Sequence, residues 1–133
     1  MFETFKFSDN QIKKYFSSAR QDFKIAGDSS VPEVIFKFCY DSLLKIAIAM
    51  CAKNGLRVKS RAGHHAELLE KLTEFLGDQD IFAVGNEMRK KRNFDLYAGG
   101  ILISKKEALE YREWLRGIFI KIEDNLNINL KLF

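Results

Sequence analysis

The sequence predicts an all-α fold: an up-and-down four-helix bundle with an additional short helix, and room for short β-strands at the two termini. Three observations predict it. Apolar residues recur every three to four positions through most of the chain. One Pro and 8 Gly leave few places where a helix would have to break. A hydrophobic fraction of 47% beside 30% charged residues supplies one sizeable core and a charged exterior. A length of 133 residues corresponds to one domain, 1–133.

The first helix begins near Ser8, where Ser8 and Gln11 have capping-box spacing. Ile12, Tyr15, Phe16, Ala19, Phe23 and Ala26 follow at helical spacing, and Gly27 is expected to close it. The second opens at Ser30-Val31-Pro32-Glu33, a second capping box with Pro in the first turn. Its polar stripe is Glu33, Lys37, Asp41 and Lys45, every fourth residue with alternating sign. A helix this apolar must be buried on more than one side, as the centre of a bundle or at a dimer interface. Asn54-Gly55 ends it.

The third helix runs from about Gly63 to Leu76, with Leu68, Leu69, Leu72, Phe75 and Leu76 as its core stripe and Gly77 as its stop. The fourth, from about Gln79 to Leu96, has Ile81, Val84 and Met88 as its apolar face and Gly99-Gly100 as its terminator. The fifth starts at Ser104-Lys105-Lys106-Glu107, a third capping box, and lines Ala108, Tyr111, Leu115, Ile118 and Ile122 along one side. At the C-terminus Leu126, Ile128, Leu130 and Leu132 alternate with Asn and Lys, a strand period; Phe5-Lys6-Phe7 alternates likewise. A strand needs a partner edge; the other reading of the tail is a frayed end.

The net charge of +4 suits a nucleic-acid or nucleotide partner without requiring one. The cations gather in two places, Arg57 to Arg61 with His64 and His65, and Arg89 to Arg92. Cys39 and Cys51 share one predicted helix and lie roughly 18 Å apart along it, too far to bridge. They read as free, buried, reduced thiols in a cytoplasmic protein. Charges interrupt the apolar stretch Val31 to Ala52, which excludes a transmembrane span. No Gly-rich phosphate loop, Walker motif or Ser/His/Asp arrangement is recognisable, and neither a cofactor nor a metal site is expected.

The chemistry concentrates in Arg89-Lys90-Lys91-Arg92-Asn93-Phe94-Asp95-Leu96-Tyr97. Val84, Met88 and Arg92 fall in one row, so Arg92 extends the apolar face and must be paired or face a wet cleft. The structural reading pairs it with Asp95; the functional one has its guanidinium grip a phosphate. Arg89, Lys90 and Lys91 point in three directions, either as a solvated face or as a positive field for RNA phosphates. His65 falls on the apolar side of its helix, as a satisfied helix-start residue or as a phosphate or proton-transfer group. His64 falls with Glu67 and Lys71 on the exposed side.

The Arg92-Asn93 pair, followed by Tyr97, resembles the signature of HEPN domains (higher eukaryote and prokaryote nucleotide-binding), which reads Arg-Asn-x-x-x-His. Gly63-His64-His65 before a Leu-rich helix, the Gly99-Gly100 stop and the Ser-capped last helix are similar to small bacterial and archaeal members; the resemblance spans most of Val31 to Ile122. It implies a homodimer in which the signature Arg and His meet across a cleft and cleave RNA without a metal. On this chain Arg92 would stabilise the phosphate, with Asn93 beside it and Tyr97 in the acid–base position. A phenol with an ordinary pKa near 10 is a poor base at neutral pH. The chain is therefore either a weakened relative or one whose base comes from elsewhere. In HEPN toxins paired with a minimal nucleotidyltransferase, a Tyr just past the His is adenylylated; here the Tyr stands without that His.

Three functions follow. The first is a homodimeric RNA- or nucleotide-binding protein, active or degenerate as a metal-independent endoribonuclease of a toxin–antitoxin or defence system. The second is a non-catalytic HEPN module docking to a minimal nucleotidyltransferase. The third is a structural helical adaptor. None involves a membrane.

Overall fold

A computed structural model of the chain describes residues 2–59, 63–98 and 103–126, with the backbone alone at 95–98. Among these residues the fold is all-α: α1 (Asp9–Asp28), α2 (Pro32–Lys53), α3 (His64–Leu76), α4 (Asp80–Ala98) and α5 (Lys105–Leu126), with two short strands, β1 (Phe2–Thr4) and β2 (Leu56–Val58). No helix among them is long and apolar enough to cross a membrane.

The helix ends test the capping expectations one by one. Ser8 caps α1 as expected: the Gln11 N–H donates to Ser8 Oγ at 3.2 Å, and the Ser8 N–H donates to Gln11 Oε1 at 3.0 Å. Ser104 and Glu107 form the same box at α5, with the Glu107 N–H on Ser104 Oγ at 3.0 Å. The box expected from Ser30 and Glu33 does not form. Pro32 drives the residue before it into extended backbone, so Val31 becomes the N-cap and no side chain caps α2. Ser29 Oγ instead accepts from the Val31 N–H at 3.1 Å. Gly27 does not close α1 either; the helix passes through it to Asp28 and leaves by an extended Ser29. Gly77 does stop α3, in the left-handed region at φ 62°, where a residue with a Cβ would be strained.

Helix α2 is the axis of the core. It packs against all four other helices and against β2, so its nearly all-round apolar surface is covered within one chain. Ile35, Phe36, Cys39, Tyr40, Leu43 and Ile46 are fully buried. The expected polar stripe faces outward, with Glu33 and Lys37 exposed and Asp41 and Lys45 half-buried. Lys45 reaches Asp22 of α1 at 2.8 Å. Helix α4 lies against α3, and at Gly85 the approach is tight: a Cβ there would stand 2.7 Å from Leu69 and 3.3 Å from Leu43. By contrast α4 and α5 share no close backbone contact among the described residues.

The expected N-terminal strand forms slightly upstream of its predicted place and finds its partner within the chain. β1 is Phe2–Thr4, upstream of Phe5-Lys6-Phe7, and it pairs antiparallel with β2, Phe2 opposite Val58. The Phe5 N–H adds a bond to the Gly55 carbonyl at 2.9 Å. The alternation at Phe5-Lys6-Phe7 still puts both rings together, 4.7 Å between centroids. β2 falls on Arg57, which sequence reasoning assigned to a basic cluster. Arg57 is engaged by the hairpin, donating from Nε to Glu3 at 2.7 Å and covering the Phe5 ring at 4.2 Å. The tail beyond Leu126, Arg61 of the same cluster, and the Gly99-Gly100 stop lie outside the described residues.

Candidate functional site

The basic run of α4 divides by helical geometry. Arg89 and Arg92 are one turn apart and lie on the side facing α2 and the start of α3. Arg92 is exposed, with its guanidinium 5.6 Å from the centroid of the Tyr40 ring. The apolar row therefore ends at Met88, and Arg92 does not extend it. A guanidinium on an aromatic face keeps its charge hydrated, which a place in the row would forbid. Arg89 is half-buried and donates from Nε to Asn86 Oδ1 at 2.9 Å. Lys90 and Asn93 are exposed, as is Phe94 at 61%. The side chains of Asp95 and Tyr97, and with them the expected Arg92–Asp95 pair, lie outside the described residues.

Lys91 belongs to a different environment. It turns toward α5, donates to Glu107 at 2.7 Å, sits 3.4 Å from Glu87, and lies 5.1 Å from the Tyr111 ring centroid. Burial opposes its charge, but hydrogen bonds to Glu107 and Tyr111 prevail and hold its pKa above the usual lysine range. Because the backbones of α4 and α5 stand apart, these side chains border a cleft of about 310 Å³, lined by Val84, Glu87, Glu107, Glu110, Tyr111 and Trp114. Its three carboxylates repel an anion. The structure thus separates Lys91 from Arg89 and Arg92.

The histidines join the arginines. Gly63, with φ 83°, turns the chain into α3 and brings His64 and His65 to its first turn. Their rings pack edge to face, 4.4 Å between centroids, and both are half-buried, although His64 was expected to be exposed. His65 Nδ1 lies 3.0 Å from the Tyr40 hydroxyl. Burial, then the nearby His64, Arg92 and Arg89, push His65 down to about 4, so it is neutral at pH 7. Burial pushes the Tyr40 phenol up to about 12 despite the opposing pull of Arg92 and Arg89, so it keeps its proton. The next residue, Asp41, is raised by burial and drawn back down by Arg92.

Of the predicted residues, then, Arg89, Arg92, His64 and His65 gather around one side chain that sequence reasoning passed over, Tyr40. The available signal was a Tyr inside an otherwise apolar helix, because a buried phenol needs a hydrogen-bond partner. Nothing in the sequence identified that partner as His65. The cluster offers two guanidinium groups and two imidazoles to an anion, and among the described residues it contains no thiol or aliphatic hydroxyl to act as a nucleophile. The thiols lie elsewhere in the core, Cys39 pushed up to about 12 and Cys51 to about 11, burial being the main cause for both. Compared with protein-family models, with curated proteins and with solved structures, the chain shows no match.

Proposed function

We propose that this chain is a HEPN-like RNA- or nucleotide-binding protein in which Arg92 and Arg89 grip a phosphate beside His64 and His65. One observation carries the reading. The two segments that the resemblance singles out, Gly63-His64-His65 and Arg92-Asn93, are distant in sequence and share a neighbour in Tyr40. A structural adaptor would have no need to collect two guanidinium groups and two imidazoles at one place, where the acidic neighbour is Asp41. The resemblance adds a homodimer with the motif at its seam, and exposed Phe94 next to Asn93 supplies apolar surface that a seam would cover.

Tyr97 in place of the signature His favours binding without efficient cleavage, which keeps the module that docks to a nucleotidyltransferase as the second reading. Both are tested by incubating the protein with structured RNAs, without added metal, beside Arg92→Ala and Tyr97→Phe, and by measuring oligoribonucleotide and ATP binding by fluorescence anisotropy. Arg92→Ala is expected to weaken binding about tenfold or more, since a charged hydrogen bond to phosphate contributes roughly 1.5–3 kcal/mol. Cleavage lost with Arg92 selects the ribonuclease; Arg92-dependent ATP binding without cleavage selects the module. Binding insensitive to Arg92 rejects the site.

A further inference from the structure

Tyr40 sits in the middle of α2 with its ring fully buried, and its hydroxyl meets His65 Nδ1 at 3.0 Å. A phenol can donate to a neutral imidazole nitrogen or, after rotation about its C–O bond, accept from a protonated one. One contact therefore serves both protonation states of His65 and holds the ring in place through the change. Nε2 remains as the ring's second polar atom. The groups that bear on this imidazole are Tyr40 from α2, His64 from α3, and Arg89 and Arg92 from α4. None of these is acidic; the carboxylate at the site is Asp41 of α2, which bears on Tyr40 and is drawn down by Arg92.

His64, Arg92 and Arg89 resist a further positive charge on this ring. A phosphate held by Arg89 and Arg92 would shift that balance by adding, to the Asp41 carboxylate already near Arg92, further negative charge beside the ring. We propose that phosphate capture at the Arg92 site is coupled to protonation of His65, with Tyr40 orienting the imidazole, so that His65 carries the proton in place of a signature His on α4. The step takes one proton from solvent onto His65; the hydroxyl of Tyr40 turns from donor to acceptor, and no covalent bond to the phosphate forms or breaks. The proposal rests on the phosphate-binding reading above.

The low pKa of His65, about 4, supports this by keeping the ring neutral at pH 7 before phosphate binds. The sign follows from linkage. If an anion raises that pKa, the protonated form binds more tightly, so affinity rises as pH falls between the bound-state and free-state pKa values. Tyr40 is here a positioning residue.

The chain has 2 histidines, so the side-chain NMR signals of His65 can be assigned with one variant, His64→Gln. The experiment follows His65 across about pH 4 to 8, free and with two probes: a 2′-O-methyl oligoribonucleotide, which cannot be cleaved, and inorganic phosphate. The expected result is that the His65 titration midpoint moves up by about one pH unit or more when the oligonucleotide is bound. Affinity should then rise about tenfold for each pH unit by which the midpoint has moved, as the pH is lowered through that window. In His65→Gln the Arg92-dependent binding that remains should no longer vary with pH across this window, and Tyr40→Phe should weaken the coupling. Arg92-dependent binding that leaves the His65 titration unmoved overturns the coupling and spares the phosphate site. No Arg92-dependent binding of either probe at any pH overturns both. A response to inorganic phosphate alone keeps the coupling and rejects RNA as the ligand.

Discussion

Tyr40 and His65 show what single residues contribute. Their hydrogen bond joins α2 to α3, and a bond of this type stabilises by about 1 kcal/mol net. The pH dependence of stability follows from the direction in which His65 is displaced. Its folded-state pKa, about 4, lies below the ordinary value of 6.5. Between those values the unfolded chain binds the proton and the folded one does not, so His65 lowers stability as pH falls from 6.5 toward 4. Discounted for its partial exposure, the loss is of order 1–2 kcal/mol. Urea unfolding at pH 7 and pH 5 should show wild type losing more stability than His65→Gln; equal losses would show that His65 titrates alike in the folded and unfolded chains. The part of the candidate site carried by Arg89, Arg92, His64 and His65 was legible because those side chains stand out chemically in the sequence. Tyr40 was not, because a Tyr among apolar residues reads as core and its partner lies 25 positions away.

At the scale of elements, caps and close approaches decide the outcome. Ser8→Ala removes a complete capping box and should cost about 1 kcal/mol. Ser30→Ala, on the sequence pattern an equal loss, should stay within about 0.5 kcal/mol because Val31 is the N-cap of α2. Thermal or urea unfolding of the two variants distinguishes them, and equal costs would return the cap to Ser30. Two helix-interior glycines provide the second contrast. Gly117 has nothing within 4 Å of where a Cβ would stand, so Gly117→Ala should stabilise by about 0.5–1 kcal/mol through helix propensity alone. At Gly85 the same gain is opposed by Leu69 at 2.7 Å and Leu43 at 3.3 Å, both fully buried. Overpacking typically costs about 1–3 kcal/mol, so Gly85→Ala should be destabilising by about 1 kcal/mol. A rise in the unfolding midpoint of Gly85→Ala would show that α3 and α4 can part without penalty.

Across the whole molecule α2 is the element on which cooperativity depends, since it touches every other helix. Cys39 and Cys51 both lie on it, buried and free. Their thiols are held protonated by burial, with pKa values of about 12 and about 11. Labelling with a thiol reagent in native buffer should therefore proceed only through opening of α2, at a rate that falls with every stabilising substitution and rises with every destabilising one. Prompt labelling of either cysteine in the native state would show that α2 opens independently of the rest. The same centrality accounts for the separation of charge. Tyr40 of α2 and His65 of α3 meet Arg92, while α4 and α5 stand apart and border an acidic cleft whose Glu87 and Glu107 hold Lys91.

The helices themselves were determined locally, by apolar spacing every three to four residues, by Ser8 and Ser104 at two starts and by Gly77 at a stop. Those signals act within a turn or two of backbone and need no distant partner. The burial of α2 was legible for the same reason, from its own circumference. The tertiary structure alone decided which cations share a face, which imidazole meets which phenol, and that the strand at Phe2–Thr4 pairs with Leu56–Val58. Each of these is a contact between segments far apart in the chain, set by how helices pack, and periodicity along one helix holds no record of the side chain that packing will bring against it.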